Sequence, residues 1–208
     1  MNNRLIFFIG ILGVILFTTT SIVGGLLIEN YSITSQYISE TFAIDTEYGL
    51  MLRVLGHIPS GILFVAFSFL GYKYFPASNL TKIGFYGIGL FYGIGTIVVA
   101  IFPCDMGCNK EFIDPSLSQV IHNLMALLVY TLVPISIIMI GFGLKKSSNN
   151  RRFSITAISL GVLSILFVCL LISDPKSEYL GLYQRIIELL FLIWIIICAF
   201  KIKNTSSS

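Results

Sequence analysis

The sequence predicts an all-α protein, a polytopic membrane bundle of six transmembrane helices with amino and carboxyl termini cytoplasmic. Three observations predict it. Hydrophobic residues make up 56% of the 208-residue chain and charged residues only 11%, whereas a soluble domain carries about 25% charged residues and needs polar surface to cover its core. Apolar runs long enough to cross a bilayer, about 20 residues each, recur six times. The cations between successive runs also alternate sides, as the positive-inside rule requires. Nucleic-acid binding is excluded. The net charge of +3 is not gathered into a basic stripe, and no recognition motif is present.

The runs cover residues 5–28, 50–74, 82–102, 117–144, 153–173 and 180–200. Helix is the only sensible reading for runs this long, because hydrocarbon leaves no partner for an unpaired backbone group. The first run follows the early cation Arg4 but exceeds a signal peptide's apolar core and lacks a small-residue cleavage site, so it reads as a retained span. The second carries Arg53, His57 and Pro59 near its start. Pro59, like Pro134 in the fourth run, removes a hydrogen bond and crowds the carbonyl four residues earlier, predicting a kink. In the third run Gly89 and Gly93 form a small-xxx-small pair that lets another helix approach closely. Cys169 and Cys198, inside apolar runs, read as small buried hydrophobes. The chain forms one six-helix domain over residues 1–203, with 204–208 read as a disordered tail.

With the amino terminus inside, nine of the thirteen cations (Arg4, Lys73, Lys82, Lys145, Lys146, Arg151, Arg152, Lys201 and Lys203) fall on the inner side. Arg53, Lys110, Lys176 and Arg185 fall on the outer side. The protein is therefore expected in the cell membrane as a multi-pass protein.

Ionisable residues inside spans are costly and mark function or buried pairing. Here they share one depth, the outer third. Arg53 with His57, Gln119 with His122 and Asn123, and Gln184 with Arg185 and Glu188 each lie on the outward part of one helix. Arg53 also suits snorkelling to headgroups, and Arg185 and Glu188, three apart, suit pairing with each other. His57 alone reads more readily as a hydrogen-bonded core histidine than as a ligand. The second outer loop brings Cys104 and Cys108 together. In an oxidising compartment that pair favours a disulfide over a metal site completed by His122, and would hold Asp105 over the bundle mouth. No metal and no cofactor is assigned, although His57 and His122 at similar depth would also suit haem ligation.

The segment Ser35-Gln36-Tyr37-Ile38-Ser39-Glu40 resembles the "SQ-x-I-S-E" stretch of the DUF998 membrane proteins. Phe102-Pro103-Cys104-Asp105-Met106-Gly107-Cys108 looks like their "F-P-C-D-x-G-C" loop, and His122 matches the histidine that follows it. Gly181-Leu182-Tyr183-Gln184-Arg185 is similar to their "G-x-x-Q-R" start of the last helix. His57 falls outside this pattern. The resemblance spans residues 5 to 201 and implies the six-helix architecture and the outer polar cluster. The family's function is uncharacterised, so it implies no activity.

The favoured function is a non-catalytic membrane component. It would bind a lipid headgroup or small ligand at the outer face through Arg53, Asp105, His122, Asn123, Gln184, Arg185 and Glu188. The first alternative is a lipid-facing hydrolase with Asp105, His122, Arg185 and Glu40 as its catalytic candidates, a histidine beside a carboxylate serving as base. The second is a small transporter. The expected partners are the lipid bilayer and an outer-face headgroup or small ligand.

Overall fold

A computed structural model describes residues 2–145 and 150–205. Its six long helices are α1 (Asn3–Leu27), α2 (Gly49–Tyr74), α3 (Asn79–Ile101), α4 (Leu117–Leu144), α5 (Arg151–Ser173) and α6 (Leu180–Lys203). Strands are absent among the described residues. Five of the helices, α1 to α5, are long and apolar enough to cross a membrane by length and composition. Large apolar side chains such as Phe8, Leu26, Leu55, Leu127 and Ile172 stand exposed around the bundle. Water does not tolerate apolar surface on that scale, and lipid does. The chain is a multi-pass membrane protein.

Each helix packs against its neighbour in sequence, and α6 closes the ring onto α1. The core runs through the middle, where Phe64, Phe85, Tyr92, Ile137, Phe191 and Trp194 are fully buried. Lipid is as apolar as leucine, so close backbone approach rather than hydrophobic exclusion holds such helices together. The α2–α3 crossing shows this. A Cβ at Gly93 would lie 2.7 Å from the Val65 amide nitrogen and 3.1 Å from the Gly61 carbonyl. The close-packing role read from Gly89 and Gly93 is what the structure contains, both facing α2.

Both predicted proline sites differ from a simple kink. Before Pro59 the chain widens into a π turn over Arg53–His57, in which the Ile58 N–H bonds to the Arg53 carbonyl. One extra residue in the turn accommodates the crowding that a proline ring imposes. A second π segment, Ile88–Ile94, interrupts α3. α4 runs as one α-helix through Pro134.

The 28–48 and 102–116 connections fold over one end of the bundle as a cap, carrying short 3-10 turns at Ile38–Phe42 and Met106–Asn109. Cys104 and Cys108 form the expected disulfide within it. At the opposite end Lys146 of the basic loop and residues 206–208 of the tail lie outside the described residues. Asn204 and Thr205 form a turn after α6, and the Asn3 side-chain amide donates to the Thr205 carbonyl.

Candidate functional site

The cap is built by the three sequence segments singled out above, and each holds another. Gly181 opens α6 beneath the first loop, where a Cβ would meet the Gln36 and Ile33 carbonyls at 2.2 and 2.7 Å. That absence of a side chain lets the Leu182 N–H donate to the Thr34 carbonyl at 2.9 Å. Gln184 accepts from the Ile38 N–H at 2.6 Å. Arg185 donates to the Ile33, Gln36 and Gly181 carbonyls at 2.8 to 2.9 Å and to the Tyr31 hydroxyl. On the other side, Gln119 accepts from the Asp105 N–H at 2.7 Å and donates to the Cys108 carbonyl and to Asn123. Glu40 accepts from the Tyr37 N–H and pairs with Lys110 at 2.8 Å.

These bonds occupy several residues expected in a binding or catalytic site. Asp105 accepts from the Ser116 hydroxyl and amide at the start of α4, and those bonds hold its carboxyl below the usual carboxylate range. It thus caps a helix rather than facing His122. Arg185 and Glu188, three apart, turn to different partners. Arg53 and His57, at the two ends of the π turn, meet different surroundings. Arg53 bonds to the Gly49 carbonyl near the rim, while His57 is 2% exposed. Burial pushes the Tyr31 and Tyr37 phenols of the cap above the ordinary tyrosine range.

Beneath the cap, His57, His122, Gln184 and Glu188 converge on one internal chamber of about 60 Å³. Glu188 sits about 12 Å down α6 from its first residue, by the 1.5 Å rise of an α-helix. Its two carboxylate oxygens accept from the Tyr92 hydroxyl at 2.8 Å and the Tyr130 hydroxyl at 3.0 Å. Gln184 donates to Tyr130 at 2.9 Å, so one chain of bonds runs from the cap to the carboxylate. His122 Nδ1 lies 2.9 Å from the Phe102 carbonyl, which can only accept. Nδ1 therefore carries the proton, leaving Nε2 as an acceptor in the neutral ring. His57 Nε2 is buried without a partner. Phe42 packs near both imidazoles, its ring centroid 4.4 Å from that of His57 and 6.3 Å from that of His122. A chamber of about 60 Å³ does not fit a haem. Cys104, Cys108 and His122 do lie within 4.8 Å of one another, but the two sulfurs are bonded together.

Two grooves share walls with the chamber. One of about 480 Å³ runs between α1 and α6 and shares Phe17, Ile38 and Glu188. Its sides carry Ile22, Leu26 and Leu189, all exposed on the face of the bundle, with Tyr31 and Arg185 at the cap end. The other, about 300 Å³, lies between α4 and α5 and shares Ser39, His122, Tyr130 and Gln184. The residues that sequence reasoning missed are Tyr92, Tyr130, Phe17 and Phe42. The two tyrosines carried a usable signal. A phenol deep in a span, away from the interfacial belt, needs a buried partner.

A bundle of this kind, capped at one end and holding a carboxylate–tyrosine network inside, defines a helical membrane protein with an internal polar chamber. Residues 11–201 match the family described as "Protein of unknown function (DUF998)", and the chain belongs to that family. No curated protein and no solved structure matches the chain.

Proposed function

We propose that this protein is a non-catalytic binder of an outer-leaflet amphiphile, spanning the cell membrane six times with both termini cytoplasmic. The cations that alternate between loops support the orientation and put the cap outside. The observation that carries the reading is the shared wall between the polar chamber and the α1–α6 groove. Glu188 lines both. At about 480 Å³ the groove falls within the range of small-ligand sites, while the chamber has room for a polar tip of a few atoms. An acyl chain lying along Ile22, Leu26 and Leu189 would place its polar end between the Arg185 rim and the chamber.

Neither the hydrolase nor the transporter reading gains an observation of its own. The hydrolase needs Asp105 against His122, and Asp105 is engaged by Ser116. Thr18 lines the groove and is exposed on α1. Thr18→Trp is expected to fill the entrance and lower the lipid retained by protein released from lipid nanodiscs, read by native mass spectrometry, while thermal unfolding stays the same. Equal retention by wild type and variant, or none by either, would count against the reading.

A further inference from the structure

The chamber's chemistry narrows what that polar end is. Its lining holds a carboxylate, two imidazoles and the rings of Phe17, Phe42, Tyr92 and Tyr130, and it holds neither lysine nor arginine. A buried carboxylate is stable only when it is matched by a cation or carries a proton. Glu188 has two phenolic donors but no cation among the described residues facing it. His57 Nε2 points to the same need independently, being fully enclosed, on the chamber wall and unpartnered. Aromatic faces attract cations through their quadrupoles. Together these features complement a small positive group that bears N–H donors.

We propose that the chamber between Glu188, His57 and the tyrosine pair binds an organic ammonium group. This rests on the amphiphile-binding reading above and names the class of its headgroup. An ammonium has three N–H donors. Glu188 accepts from them, as does His57 Nε2 in the tautomer that carries its proton on Nδ1, and Phe42 and Tyr92 supply aromatic rings. A phosphate has no complement inside the chamber, where its charge would face Glu188.

The test uses the whole protein in nanodiscs of equal parts phosphatidylethanolamine and phosphatidylglycerol. These lipids share a phosphate and differ in bearing an ammonium or a glycerol. Wild type is expected to retain phosphatidylethanolamine several-fold over phosphatidylglycerol, and Glu188→Gln to retain the two equally. Tyr130→Phe keeps the carboxylate but removes one of its bonds, and is expected to show a reduced preference even if the glutamine variant fails to fold. Methylammonium chloride in the same discs separates the sources. A rise in the unfolding temperature of wild type but not of Glu188→Gln, without lipid preference, assigns the site to a free ammonium ion. Lipid retained with no preference, and no methylammonium effect, overturns the ammonium assignment and leaves amphiphile binding standing. No retained lipid and no methylammonium effect overturns both.

Discussion

His57 shows how a single side chain separates stability from use. Its ring is fully packed against Phe42 and Phe17, yet one nitrogen has no partner. A buried polar atom left unmatched costs about 1–3 kcal/mol. His57→Phe keeps an aromatic ring in place and removes that atom. It is expected to raise the unfolding temperature, by about 2–4 °C for each kcal/mol in a chain of this size, while lowering retention of phosphatidylethanolamine. A fall of several degrees on scanning calorimetry would mean the nitrogen is matched after all. The sequence singled out His122, Gln184 and Glu188, which line the chamber, because a polar or ionisable group in a span is too costly to stand there without a partner or a ligand. It did not separate them from Asp105, Glu40 and Arg185. Those three are turned to the cap instead, Arg185 to backbone carbonyls of the 31–37 loop, Glu40 to the Tyr37 N–H and Asp105 to Ser116, a difference set by which groups the cap presents.

The bounds of the long helices were legible to within three residues, since apolar runs of this length in lipid can only be helices. The π turns were not. The widened turn before Pro59 holds Arg53, partly exposed, and His57, buried. The segment at Ile88–Ile94 likewise falls where Tyr92 enters the chamber. The glycine pair of α3 was readable because a backbone contact accepts nothing larger. Gly93→Ala pushes a methyl group against the α2 backbone at Val65 and Gly61, which cannot move as a side-chain tip would. A loss of about 1–3 kcal/mol is expected from such overpacking. Reversible unfolding in mixed micelles would check it, and an unchanged midpoint would mean the helices separate freely there.

For the whole molecule, the cap and the chamber are one construction. The first loop is held down on α6 by Gly181, Gln184 and Arg185, and the same Gln184 continues through Tyr130 to Glu188. The residues carrying the family resemblance therefore roof a site whose floor, Tyr92 and Tyr130, lay outside it. The proposed function stands on lipid entering from the side between α1 and α6. Photo-crosslinking with a phosphatidylethanolamine whose acyl chain carries a diazirine, followed by peptide mapping, reads that directly. Adducts concentrated on Thr18, Ser21, Ile22 and Leu189, and lost in Thr18→Trp, are the predicted result. Adducts spread evenly over the outward faces of all the helices, α5 included, would contradict it.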